Sequence, residues 1–159
     1  MLERLDGFDE RLPVASGEDT DLAQRAIDDG VALVAAPEAE THHAIDATWM
    51  APALRSAWRW GHLAYLVKRH PALREAMTAR VFWKRSHALL LLGAAGLATR
   101  RPVGALALLP WALEARPRYG HSARGVLRAA SELPSRAALD ATEIAALARG
   151  SARYRTFLL

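Results

Sequence analysis

Five carboxylates lie close together near the start of the sequence, and their types and spacing suit acid–base or cation-binding chemistry. They are Asp9, Glu10, Glu18, Asp19 and Asp21, and a histidine pair, His42-His43, follows farther along the chain. Carboxylates at this density repel one another unless a cation, a positively charged substrate or a reaction makes use of them. A carboxylate at a loop-to-helix junction can also act as a general base, because the helix start holds it while it faces a cleft.

The same side chains have a structural interpretation that stays open at this point. Glu18, Asp19 and Asp21 fall in the first turn of a predicted helix, where negative charge is stabilised by the helix dipole. The two histidines suit hydrogen bonds to loop backbone as well as they suit a divalent cation, which a neutral imidazole can bind.

The local pattern around the acids predicts one helix followed by one strand. Ser16 with Asp19 three residues later indicates a helix N-terminal cap. The helix would run to Asp29, and Gly30 suits the left-handed position just past its end. Residues 31–35 then predict a short apolar strand. A single strand cannot form a sheet, so we expect the chain to be a truncated part of a larger α/β domain.

The overall charge of +4 hides a division of the chain. Residues 1–50 carry twelve acids and three arginines, a net charge of −9, whereas residues 51–159 carry eighteen Lys or Arg and five acids, a net charge of +13. This division indicates two segments with different roles. The lack of cysteine excludes a disulfide framework and a thiolate metal site. A polar, acidic start predicts no secretory signal.

Residues 48–85 are expected to form basic amphipathic helices at a membrane surface. Two helices are predicted, at 52–69 and 71–85, and the segment 55–85 holds eight Lys or Arg, one acid and five aromatic residues. Arginine meets lipid headgroups and tryptophan favours the interface, so this composition suits an anionic bilayer. Nucleic-acid binding is the weaker interpretation, because no recognised nucleic-acid motif is present.

The rest of the chain predicts further helices. Two apolar runs within 86–115 are each too short to span a bilayer, and Arg100-Arg101 lies between them. They predict a helical hairpin with a basic tip at the headgroup layer. Residues 116–159 predict a basic linker and a last helix over 134–149, ended by Gly150.

A string of motifs runs through residues 1–43. It comprises Gly7-Phe8-Asp9-Glu10, Gly17-Glu18-Asp19-Thr20-Asp21-Leu22, Arg25, Gly30 and Pro37-Glu38-Ala39. This string resembles the C-terminal half of family-2 glycosyltransferases, which have the GT-A fold. The resemblance implies that Asp19 is the catalytic base of an inverting transfer. It also implies that Glu18 orients the acceptor or the base, with Asp21 on the same substrate-binding side.

The resemblance implies a divalent ion, Mg²⁺ or Mn²⁺, that neutralises the leaving diphosphate. Asp19-Thr20-Asp21 has the form of the family's Asp-x-Asp metal motif, but that motif belongs at the end of a strand in the preceding half. The main metal ligands are therefore expected outside this chain. His43 stands where many members carry a histidine near the metal or the diphosphate, which makes it the candidate metal ligand here.

Arg59 and Trp60 are candidate substrate-binding residues on a second resemblance. Processive relatives carry a Gln-x-x-Arg-Trp motif on an interfacial helix after the catalytic base, and Ser56 stands at the Gln position of this chain. An arginine near the donor diphosphate is chemically reasonable. Simple membrane anchoring explains the same two residues about as well.

Together these features predict an α/β fragment, the C-terminal part of a GT-A Rossmann-like domain over 1–47, followed by a mainly α-helical, membrane-associated region. The implied activity is transfer of a sugar from a nucleotide-sugar donor to an acceptor glycan or lipid-linked acceptor, at the cytoplasmic face of the plasma membrane. The isolated chain is expected to be inactive without a separate donor-binding N-terminal half. The alternative is a non-catalytic, basic helical module that binds a membrane surface or a protein partner.

Overall fold

The structure, a computed structural model, describes residues 2–12, 15–32, 34–42, 49–101 and 105–159. The helices in these ranges are α1 (Glu18–Asp28), α2 (Met50–Ala57), α3 (Leu63–Arg69), α4 (Arg85–Ala98), α5 (Leu108–Ala115), α6 (Ala123–Ser131) and α7 (Leu133–Tyr154). Two 3₁₀ segments, Trp58–His62 and Pro71–Ala76, flank α3. The regular secondary structure of the described residues is therefore helical.

The prediction of an α/β fragment from a GT-A Rossmann-like domain is wrong. The described residues contain no β-strand, and an isolated antiparallel bridge between Thr78 and Phe82 is their one β-type pairing. The described positions within 31–35 have irregular backbone, and Val34 is 79% exposed. A short apolar run becomes a strand only where a neighbouring strand takes up its backbone hydrogen bonds, and the described residues place none beside it.

The helix after the acidic cluster is confirmed, although its cap differs from the prediction. α1 ends at Asp28, and Gly30 follows with φ of 79° in the left-handed region. Gly17, not Ser16, is the N-cap residue, and no side chain caps the helix. The φ of Gly17 is 98°, a conformation that glycine adopts readily because it has no Cβ.

The predicted helix over 71–85 is wrong, because regular structure there ends at Ala76. Ala79 and Arg80 both have positive φ, so the chain turns sharply before α4 begins. A left-handed residue cannot continue a right-handed helix. The four-residue spacing of Leu73 and Met77 still places both in or against the core, with Met77 buried.

The core lies between α3, the following turn and the long helix α7. Its buried members are Leu63, Ala64, Leu66, Val67, Met77, Leu147 and Leu158. The late residues of the chain take part directly: Leu158 is fully buried, and the backbone of Leu159 exchanges hydrogen bonds with Val81 and Trp83. The turn after α3 is thus fixed by residues that are far from it in sequence.

Gly150 lies inside α7, so the prediction that it ends the last helix is wrong. It sits where α7 crosses the 3₁₀ segment Trp58–His62, and a Cβ at this position would overlap the carbonyl oxygen of Gly61. A Cβ on Gly61 would lie 2.9 Å from the carbonyl oxygen of Ala146. The two glycines therefore permit a close backbone crossing that larger residues would prevent.

Helices α4 and α5, which fall in the segment predicted as an apolar hairpin, pack against each other. Their contact is close, since a Cβ on Gly93 would collide with the side chain of Leu108. Large apolar side chains remain outside this contact, each more than half exposed: Leu92, Leu97, Leu106, Leu109 and Leu113. None of the helices in the described ranges combines the length and the hydrophobicity needed to cross a membrane.

Candidate functional site

A groove with a volume of about 640 Å³ opens between the start of α1 and the helical segments around α3; we name it the Asp19 groove. One rim consists of residues 15–20, which include Glu18 and Asp19. The opposite rim carries Ser56, Arg59 and Trp60. The floor is apolar and consists of Leu63, Leu66, Leu73, Ala76, Met77 and Trp83.

Ser16 brings the two rims together. Its hydroxyl donates a hydrogen bond of 2.8 Å to the backbone carbonyl of Arg59, a residue 43 positions later. Gly17 then approaches α3 so closely that a Cβ would lie 3.0 Å from Leu66 Cδ2. This contact and the left-handed backbone of Gly17 set the position of the α1 start, and hence of the carboxylates that follow.

Asp19 is exposed at the mouth of the groove and forms no ion pair with any described residue. Its Oδ1 accepts a hydrogen bond of 2.7 Å from the backbone N–H of Thr20. Glu18 is engaged differently, because its Oε2 accepts a 2.6 Å bond from the backbone N–H of Ser16. Asp19 is thus oriented by the backbone but not neutralised, which is what a general base at a loop-to-helix junction requires.

Arg59 and Trp60 form the opposite rim. The Arg59 guanidinium donates to the Ser56 hydroxyl at 2.5 Å and to the Ser56 carbonyl at 3.3 Å, so Ser56 orients it. The ring of Trp60 packs against that of Trp83 with centroids 5.3 Å apart. Lys84 Nζ lies 5.8 Å from the Trp60 ring centroid, within the range of a cation–π contact.

Asp21 lies outside the groove. It is fully buried and pairs with Arg25 at 2.8 Å, with Arg69 at 3.0 Å and with His70 at 2.8 Å. A carboxylate with two guanidinium groups and an imidazole around it, and with no exposed surface, has no face left for a substrate. The structure therefore separates Asp21 from Glu18 and Asp19, with which the motif groups it.

Asp9 belongs to the same buried network through Arg69. Its carboxylate accepts bonds of 2.5 Å from Arg69, 2.8 Å from Arg11 and 2.6 Å from the Tyr65 hydroxyl. The hydrogen bonds from Arg11 and Tyr65 hold the pKa of Asp9 well below its usual value, although burial acts in the opposite direction. The acidic first segment is thus attached to α3 by two carboxylates that share one arginine.

The candidate metal ligand His43 lies outside the described residues, and His42 is exposed. Among the side chains that the structure describes, one group of three has metal-ligand chemistry: His87, Asp140 and Glu143, on α4 and α7. None of the three lines the Asp19 groove. Of the carboxylates and histidines in the described residues, Glu18 and Asp19 line the groove, and the divalent ion with its main ligands outside this chain stays a prediction.

Nearby side chains of the protein already contact the carboxylates of Asp140 and Glu143. Lys84 Nζ lies 2.6 Å from Glu143 Oε2, and His87 Nε2 lies 3.0 Å from the same oxygen. Burial raises the pKa of Glu143, but the hydrogen bonds from His87 and Lys84 outweigh it and leave the pKa lowered. The Trp111 indole donates to Asp140 at 2.9 Å. An ammonium in the ligand shell repels a metal ion, so we interpret the group as a packing contact between helices.

The structure thus brings together four of the six residues predicted for the site. Glu18, Asp19, Arg59 and Trp60 share one groove, whereas Asp21 lies in a buried network. The apolar floor of the groove was not predicted from the sequence. The four-residue spacing of Leu73 and Met77 is the pattern that could have indicated it. Comparisons of the chain with family models, with curated proteins and with solved structures yield no match.

Proposed function

We propose that the Asp19 groove is the acceptor side of a glycosyl-transfer site that uses a nucleotide-sugar donor. One observation carries the proposal. The acidic pair Glu18-Asp19 and the pair Arg59-Trp60, about forty positions apart, line one groove, and the Ser16 hydroxyl beside the acidic pair donates a hydrogen bond to the Arg59 carbonyl. The two pairs belong to two separate motifs of the resemblance, and both line this groove.

In this proposal Asp19 is the general base. An acceptor hydroxyl gives its proton to the carboxylate, and its oxygen forms a bond to the anomeric carbon of the donor sugar. The bond from that carbon to the nucleoside diphosphate breaks at the same time, and the diphosphate takes the electron pair. The absence of an ion pair at Asp19 among the described residues supports this role, because a carboxylate held by arginine is a weaker base.

The opposite rim suits the groups that flank the reacting bond. Arg59 carries a guanidinium pre-oriented by Ser56, and such a fork binds the oxygens of a phosphate. Trp60 offers a flat apolar ring beside it. The nucleotide itself would be bound by a separate donor-binding half, so the purified chain alone is expected not to transfer sugar.

Replacing Asp19 with Asn at the chromosomal locus tests the proposal. In membranes of the producing organism supplied with labelled nucleotide-sugars, D19N should lower transfer about 10²- to 10⁴-fold, the usual contribution of a general base. D29N is the matched control, since Asp29 is an exposed acid beyond the other end of α1 that pairs with Arg4. Equal rates in the two variants, or robust turnover by the purified chain alone, would contradict the proposal.

A second candidate function is binding to an anionic membrane surface, and the exposed leucines of the hairpin favour it. Leu106 and Leu109 are 66% and 63% exposed, while Arg100 and Arg101 follow α4 on its exposed end. Apolar side chains next to arginines suit the boundary between headgroups and acyl chains. This function is compatible with the first, because a transferase acting on a membrane-bound acceptor must lie at the surface.

Leu109→Asp should weaken binding to anionic liposomes at least about tenfold, since it removes the burial of a leucine, roughly 1.5–3 kcal/mol, and adds a negative charge. Phe8→Asp is the control, because it makes the same charge change at a similarly exposed apolar residue in the acidic segment. Flotation across a salt series measures the difference. Equal flotation of the two variants would exclude the hairpin as the contact, and retention on DNA instead would favour nucleic-acid binding.

A further inference from the structure

A small cleft lies where α7 crosses the 3₁₀ segment Trp58–His62, and we name it the Arg149 cleft. Its volume is about 50 Å³. A water-sized group needs about 10–15 Å³, so the cleft has room for a few such groups. None of the residues that line it lines the Asp19 groove. The side chains around the cleft are those of Trp58, His62, Arg149, Arg153 and Tyr154.

The Arg149 cleft carries positive charge that no described side chain neutralises. Arg149 and Arg153 lie one turn apart on α7, where like charges repel each other. Both are exposed, and neither forms an ion pair with a described residue. The two crossing elements supply no acid near the cleft, because residues 47–74 and 144–159 contain no Asp or Glu. An anion in the cleft would therefore remove a repulsion that the protein itself leaves in place.

His62, on the other crossing element, supplies a neutral donor. Burial lowers the pKa of its imidazole, and the positive charges of Arg153 and Arg149 lower that pKa further. Its Nδ1 lies 3.2 Å from the Tyr154 hydroxyl. A hydroxyl that donates to Nδ1 leaves the ring hydrogen on Nε2, where it can be donated to an anion. The Arg153 guanidinium lies 5.3 Å from the Tyr154 ring centroid, so Tyr154 contacts both groups.

We propose that the Arg149 cleft binds a phosphate group that carries close to two negative charges. Inorganic phosphate and the exposed phosphomonoester of a lipid headgroup share this chemistry. Two guanidinium groups match the charge, and their N–H groups form charge-assisted hydrogen bonds with the phosphate oxygens. The cleft is far smaller than the usual small-molecule site of about 300–1,000 Å³. It therefore suits the phosphate group itself and not a whole nucleotide or sugar.

A titration of the purified chain with inorganic phosphate, followed by NMR, tests the site directly. Phosphate should bind at least about fivefold more tightly than acetate at the same ionic strength, because acetate has half the charge and fewer oxygens. The ring resonances of His62 should shift with the midpoint of the phosphate titration. A shift in arginine resonances elsewhere, with none at His62, would contradict the assignment.

Two arginines of one helix supply matched variants. Arg149→Gln should weaken phosphate binding at least about fivefold, because it removes one of the two charged donors. Arg136→Gln makes the same charge change on α7 at an exposed residue that does not line the cleft, so it should leave binding unchanged. Circular dichroism melts verify folding. Arg153→Gln replaces the first variant if that variant melts early.

Liposomes identify the source of the phosphate. Phosphatidylcholine vesicles that contain phosphatidic acid, a phosphomonoester, are compared with vesicles that contain phosphatidylglycerol, a diester, at equal surface charge. A preference for phosphatidic acid that Arg149→Gln loses and Arg136→Gln keeps would assign the cleft to a lipid headgroup. Phosphate binding that depends on Arg149, without this preference, would assign it to a soluble phosphate.

Equal behaviour of the Arg149→Gln and Arg136→Gln variants in both experiments would overturn the inference, and so would acetate binding as tight as that of phosphate. No binding of phosphate and no preference for phosphatidic acid is one such case. None of these measurements depends on Asp19, so the proposed transfer site and the phosphate cleft are tested separately.

Discussion

Replacing Asp21 with Ala should destabilise the protein by about 3–5 kcal/mol, the cost of removing one partner from a buried ion pair. Asp21 is fully buried and accepts contacts from Arg25, Arg69 and His70. Without it, the three groups lose their contacts with this carboxylate, and Asp9 stays as the one carboxylate paired with Arg69 among the described residues. Urea unfolding followed by circular dichroism measures the loss as a lower midpoint at an unchanged slope.

Asp19→Ala is the matched control for that experiment, because the two aspartates lie in the same turn of α1. Asp19 is exposed and forms no ion pair with the described residues, so its removal should cost less than about 1 kcal/mol, mainly through the helix dipole. The two variants thus separate stability from activity. Similar unfolding midpoints for both would show that the Asp21 network contributes little.

Replacing Gly150 with Ala should destabilise the protein by about 2–3 kcal/mol, although alanine is the better helix former by about 1 kcal/mol. A Cβ at this position would overlap the carbonyl oxygen of Gly61, which belongs to backbone and cannot rotate away. The helix α7 and the segment Trp58–His62 must therefore separate. For a chain of this size the melting temperature should fall by roughly 2–4 °C per kcal/mol.

Whether Gly150→Ala lowers or raises the melting temperature shows whether packing or helix propensity dominates at this position. Ala148→Gly, at an exposed site one half-turn earlier in α7, measures propensity alone and should cost about 1 kcal/mol. If propensity also governed position 150, Gly150→Ala would raise the melting temperature by a comparable amount. A stabilised Gly150→Ala variant would therefore show that the close crossing is not required.

The sequence correctly predicted the features that depend on interactions between neighbouring residues. α1 and the left-handed Gly30 follow from acids in the first turn and a glycine after the last. The predicted strand at 31–35 is wrong, because a strand needs a neighbouring strand, and a local sequence pattern does not show whether one is present. Gly150 was interpreted as a helix end for the same reason: a glycine that permits close packing looks identical in sequence to one that ends a helix.

The candidate site was predictable in its rims and not in its floor. Asp19 and Arg59 are motif residues that the sequence predicts. The segments that carry them are joined by a long-range hydrogen bond from the Ser16 hydroxyl to the Arg59 carbonyl, which the sequence does not reveal. The opposite charges of the two segments indicated separate roles, yet part of that charge is used internally. Arg69, one of the eight basic residues of the segment 55–85 expected at a membrane surface, instead pairs with Asp9 and Asp21.

The burial of Leu158 gives the protein an order of assembly. A ribosome delivers the acidic rim before the residues around position 158, so α3 reaches its mature packing only after those later residues have emerged. Until then Trp83 lacks the backbone partner that Leu159 supplies, and the apolar floor has one unsupported side. Newly made chains therefore carry the carboxylates of the groove before they possess the groove.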